Sequence, residues 1–127
     1  MVNYKIKTDK YGNQLIEYEV LRGDTFSLSI SLTSAGENVS RETISKVVYK
    51  QSGEDYVELY RTEFEFDEYT NKYVAIIPSE VTAGFESGVS YIYEIEITFL
   101  DGSVLTPTQS KIKYKDEIVK GVKEWSQ

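Results

Sequence analysis

Between Phe26 and Thr33 apolar and polar residues alternate without an error: Phe26, Leu28, Ile30 and Leu32 against Ser27, Ser29, Ser31 and Thr33. A second run does the same, with Tyr91, Tyr93, Ile95, Ile97 and Phe99 interleaved by Glu94, Glu96 and Thr98. Successive side chains of a strand point to opposite faces, so each run has one apolar and one polar side. A helical repeat of 3.6 residues fits neither run. One-sided strands of this kind belong to antiparallel sheets packed on one face, and they place Phe26, Leu28, Ile30, Tyr93, Ile95 and Ile97 in the core.

Further strands are expected over 3–8, 14–21, 44–51, 56–66 (broken near Thr62), 72–77 and 103–114 (broken at Pro107). Turn signals separate them: Tyr11-Gly12-Asn13, Arg22-Gly23-Asp24, Ser34-Ala35-Gly36, Ser52-Gly53-Glu54, Tyr69-Thr70-Asn71 and Asp101-Gly102. Asp101-Gly102 reads as a two-residue hairpin turn whose glycine accepts positive φ. The stretch 78–84 reads as one or two helical turns, with proline near the start and glycine at the stop. Seven to nine short strands at spacings of about ten residues predict an all-β fold, an immunoglobulin-like antiparallel sandwich rather than a barrel.

A chain of 127 residues buries about two-thirds of its unfolded surface, enough for one core and too little for two. The expected organisation is a single sandwich domain over 1–115 and a C-terminal tail over 116–127. In that tail Ile118, Val119, Val122 and Trp125 fall at i, i+1, i+4 and i+7, an amphipathic helical stripe weakened by Gly121. Trp125 is the single tryptophan. Aromatic residues are over-represented as interface anchors, so Ile118, Val122 and Trp125 form the candidate contact set. The alternative is that the stripe folds back and caps its own sandwich.

The chain contains neither cysteine nor histidine. Thiolate zinc sites, disulfides, cysteine nucleophiles and imidazole bases are therefore excluded. No glycine-rich phosphate loop is present, and no cofactor is expected. Glu63, Glu65 and Asp67 alternate with Phe64 and Phe66, but same-face carboxylates on a strand stand roughly 7 Å apart, too far to chelate one ion unaided. The expected reading is a non-enzyme with no catalytic and no metal site. Arg22-Gly23-Asp24 spells an integrin-type tripeptide and reads as an ordinary turn before the strand at Phe26. Tyr56, Tyr60, Tyr69 and Tyr73 could line a sugar- or protein-binding face, or be half-buried sheet tyrosines.

Twenty-one acids against fourteen bases give a net charge of −7. Phosphate neutralisation needs a basic face, so neither nucleic acid nor an anionic membrane is an expected partner. The charge is uneven. From Glu54 to Glu68 seven acids accompany one base, and from Ser110 to Lys123 five lysines accompany two acids. These stretches are either two solvated strand faces or complementary patches that steer one subunit onto another. Charges interrupt the apolar residues of Met1–Lys7, so no signal peptide is read there, and no apolar run approaches a membrane span.

The order of landmarks is that of a known group. Arg22-Gly23-Asp24-Thr25-Phe26 leads an alternating strand, Ile44-Ser45-Lys46-Val47-Val48-Tyr49 follows, and Ile77-Pro78 opens a helical turn. Gly88-Val89-Ser90-Tyr91-Ile92-Tyr93-Glu94-Ile95-Glu96-Ile97, Asp101-Gly102-Ser103-Val104-Leu105-Thr106 and Lys111-Ile112-Lys113-Tyr114 complete it. Over roughly residues 15–118 this resembles the immunoglobulin-like β-sandwich domain of tailed phages of Gram-positive hosts, similar to the N-terminal domain of the baseplate upper protein. The resemblance implies a structural virion component of baseplate, tail, neck or head, made in the bacterial cytoplasm, whose partners are other virion proteins or itself. It carries no catalytic residues. The long linker and receptor-binding adaptor of the baseplate protein have no counterpart here, which favours a small stand-alone virion or assembly protein. A carbohydrate-binding module and a small acidic inhibitor of a host protein are the alternatives.

Overall fold

The computed structural model describes residues 2–8, 14–34 and 37–116. In chain order the strands are β1 (Val2–Thr8), β2 (Gln14–Leu21), β3 (Phe26–Ile30), β4 (Thr33–Ser34), β5 (Glu37–Asn38), β6 (Ile44–Ser52), β7 (Glu58–Glu63), β8 (Glu65–Asp67), β9 (Lys72–Ile77), β10 (Ser90–Phe99) and β11 (Val104–Lys115). A 3-10 turn spans Arg41–Thr43, and the single helical turn α1 covers Ser79–Thr82 behind Pro78. The strands form a six-stranded sheet, β1-β2-β11-β10-β6-β7, facing a three-stranded sheet, β3-β9-β8, with β4-β5 as a separate ribbon. This is an all-β, immunoglobulin-like sandwich. Eleven strands stand where seven to nine are expected. The surplus is the two-residue β4 and β5 and the division of 58–67 into β7 and β8.

Both alternating runs pack as their pattern dictates. Phe26 and Leu28 of β3, and Tyr93, Ile95 and Ile97 of β10, are buried, while Ser27 and Ser29 are exposed. Ile30 is only half-buried, because it lies at the end of β3 where the sheets part. Val20, Ile77, Ile112 and Tyr114 fill the centre with no exposed surface. Aromatic contacts bind the layers: Tyr18 lies 5.1 Å from Phe26 across the sandwich, and Tyr49 stacks on Tyr93 at 5.9 Å.

The fold departs from the sequence expectations at four places. The pairing of β2 with β11 is parallel, Tyr18 against Ile112, so the first long strand closes on the last. The break between β7 and β8 falls at Phe64, not Thr62. Phe64 is buried, its N–H donates to Val47 O at 2.8 Å, and the chain crosses there from one sheet to the other. Pro107 does not interrupt β11. Ile95 pairs with Thr108 and Ile97 with Leu105, so Thr106 and Pro107 form a bulge opposite Glu96, where the missing N–H of proline costs no ladder bond. The hairpin after Phe99 has a three-residue loop, Leu100-Asp101-Gly102, rather than two. Gly102 donates to Phe99 O at 3.0 Å in a left-handed conformation, φ 89°, and Phe99 N–H reaches Ser103 O.

Candidate interaction site

The residues that the sequence singled out do not converge on one site. Glu63 ends β7 in one sheet, whereas Glu65 and Asp67 belong to β8 in the other, so the three carboxylates do not share one strand face. Asp67 instead accepts from Tyr69 N–H at 2.9 Å and Thr70 Oγ1 at 3.0 Å. Among the described residues no three acidic side chains gather as metal ligands would. The four tyrosines likewise separate. Tyr69 projects fully into solvent and Tyr56 is exposed, while Tyr60 packs on the core and Tyr73 is buried within it against Phe66. They form no common platform.

Arg22-Gly23-Asp24 is a corner locked into the fold. Asp24 N–H donates to Leu21 O, and Gly23 at φ 88° completes the turn. The buried Thr82 hydroxyl accepts from Gly23 N–H at 3.0 Å and donates to Asp24 O at 2.8 Å. The Arg22 guanidinium reaches Ala83 O at 2.8 Å and Asp116 at 2.7 Å. The corner thereby fastens α1 and the end of β11 at one pole of the sandwich. The candidate contact residues Ile118, Val122 and Trp125 lie outside the described residues.

The buried polar atoms form a structural cluster. Gln51 is fully buried, and its Oε1 accepts from the Tyr49 hydroxyl at 2.8 Å and the Tyr114 hydroxyl at 2.7 Å. The Tyr93 hydroxyl donates to Ile16 O. Burial pushes the phenols of Tyr49, Tyr93 and Tyr114 well above the ordinary tyrosine range. They stay protonated at neutral pH and act as donors in packing.

Two kinds of surface remain. The first is the pair of sheet edges. At about 4.8 Å per strand, the outer strands of the six-stranded sheet stand roughly 24 Å apart, against roughly 10 Å in its partner. The larger sheet therefore overhangs. Tyr4 and Ile6 pair with Tyr18 and Ile16 on the core-side face, yet are 63% and 55% exposed. Charge differs between the two sides. Lys5 of β1 lies with Lys111, Lys113 and Lys115 of β11 near one edge, where Lys115 pairs with Glu19 at 3.1 Å. The other edge, β7, belongs to the acidic stretch, with Glu58 held to Arg61 at 2.7 Å. That guanidinium bond draws the Glu58 carboxyl below its usual value.

The second surface is an apolar groove of about 470 Å³ at the pole opposite the Arg22 corner. There the sheets part, and Leu32, Ile44, Ile97, Phe99, Leu105 and Pro107 line the opening. The same hairpin exposes Leu100, Val104 and Leu105 by 69%, 57% and 52%. The sequence analysis did not identify this groove. Its signal is present in Phe99-Leu100 and Val104-Leu105, since two adjacent apolar residues on a strand cannot both face the core. No protein-family model matches the chain, and no curated protein matches it.

Proposed function

We propose that this protein is a non-enzymatic structural and interaction module, a component of a tailed-phage particle that acts through contacts with other virion proteins or with itself. The observation that carries the interaction reading is the overhanging six-stranded sheet. It ends in two uncovered strands of opposite charge, and an uncovered edge is a template for pairing with another chain. The phage setting is supported by the order of sequence landmarks, which occupy β3, β6, α1, β10 and β11 of a sandwich. The test is mass spectrometry of density-purified phage particles from a host strain whose genome encodes this chain. Recovery in fixed ratio to known tail or head proteins is the expected result. Recovery only from the cleared lysate would overturn the virion reading, and retention on purified cell-wall glycan in place of particles would establish a carbohydrate-binding module.

A further inference from the structure

The groove opens at the pole formed by the ends of β3 and β10 and the starts of β6 and β11. The chain leaves the described structure at the other pole. Asp116 is held there by Arg22 at 2.7 Å, its N–H reaches Ser87 Oγ at 3.3 Å, and Arg22 N–H donates to Lys115 O. Between Pro107 and Lys115 a strand rises roughly 26 Å. An open apolar groove thus stands at one end of the domain, and an apolar segment of sequence, Ile118 to Trp125, is attached at the other.

That segment presents its three large apolar residues together only as a helix. In a strand Ile118 and Val122 share a face and Trp125 points away, because alternate residues change sides. In a helix positions i, i+4 and i+7 fall on one stripe. A helix over 117–125 is roughly 14 Å long. It is too short to span the roughly 26 Å back to the groove of its own domain. The groove of a neighbouring copy is under no such restriction.

We infer that the groove is the receptor for residues Ile118–Trp125 of a second copy of this chain, with Trp125 as the anchor against Leu32, Phe99 and Leu105. This deepens the interaction reading above by naming the partner and the contact. The contact joins unlike surfaces, so repeated addition gives a ring if the rotation closes and a filament if it does not. The segment from Glu117 to Trp125 carries two acids and two lysines, so the contact is apolar and insensitive to salt.

The test uses the full chain in sedimentation experiments. Wild-type protein is expected to self-associate with rising concentration. Trp125→Ala, which removes the anchor, and Leu105→Asp, which charges the groove, should each weaken association about tenfold or more, as loss of an interface anchor does. Mixed in equal amounts, the two variants should form dimers, because one still carries an intact groove and the other an intact segment. A wild-type chain that stays monomeric at high concentration, variants that associate like wild type, or a mixture that stays monomeric would each overturn the inference. A synthetic peptide of residues 116–127 provides a readout without a groove substitution. It should shift the amide resonances of Leu32, Phe99 and Leu105 in the Trp125→Ala protein, and unchanged resonances would also overturn the contact. Recovery from purified particles does not depend on this contact, so the virion reading stands or falls separately.

Discussion

An amide side chain in an apolar core costs free energy unless its polar atoms find partners. Gln51 meets this by accepting two phenolic hydrogen bonds at one oxygen, from Tyr49 and Tyr114. Replacing it with leucine leaves two buried hydroxyls without an acceptor. At about 1–3 kcal/mol for each unsatisfied group, Gln51→Leu should destabilise the fold by about 2–5 kcal/mol in urea unfolding. The same phenols make the protein sensitive to base. In the unfolded chain tyrosine loses its proton near pH ~10, whereas burial holds Tyr49, Tyr93 and Tyr114 protonated in the native state well above that. Above pH ~10 the native state therefore binds more protons than the unfolded state, and stability falls as pH rises. The stabilising contribution is fully present at neutral pH. Each of the three groups contributes a slope of about 1.4 kcal/mol per pH unit over that range. Urea midpoints measured from pH 9 upward should decline steeply, and absorbance titration should show these phenolates appearing only as the fold is lost. A midpoint that stays flat to pH 12 would contradict this.

Strands were the most legible level. Alternation is a local signal, and where one face is buried the register follows from it, which is why β3, β9 and β10 sit where the pattern puts them. The consequence is measurable. Phe26→Ala and Ile95→Ala should each cost about 2–5 kcal/mol, as cavity-forming substitutions do, while Ser29→Ala, exposed on β3, should stay within about 0.5 kcal/mol. Thermal or urea unfolding of the three variants checks the ordering. Interruptions were less legible, because they depend on what lies opposite. Nothing local to Phe64 says that the chain changes sheets there; the burial of its ring against both layers decides it. Pro107 reads as a strand breaker until its neighbour is known, and a bulge opposite Glu96 absorbs it. The loop after Phe99 gained a residue because Gly102 occupies the left-handed position of a three-residue hairpin, leaving Leu100 outside the strand. A sequence motif alone does not distinguish these two loop geometries.

At the scale of the whole molecule, strand order decides which charges face which side. The two charged stretches are visible in the sequence, but only the order β1-β2-β11-β10-β6-β7 shows that they lie toward opposite edges of one sheet. Contacts made through those edges should form more slowly as salt rises, since exposed charges more than about 8 Å apart are largely screened at physiological ionic strength. Association rates measured between about 0.05 and 0.5 M salt should fall, with dissociation rates much less affected. The groove was the least legible feature, because three separate stretches of chain, around Leu32, Ile44 and Leu105, meet only once the sandwich is assembled. The parallel pairing of β2 with β11 has a consequence for biosynthesis. Arg22 and its partner Asp116 are 94 residues apart in the chain, so a ribosome must deliver almost the whole domain before the sheet can close. Until then the nascent protein holds β2 without its neighbour and β10 with a bare edge, the state in which unpaired strands capture one another. Polysomes translating this message therefore carry a row of unfinished sheets, and folding of each chain waits on its last strand.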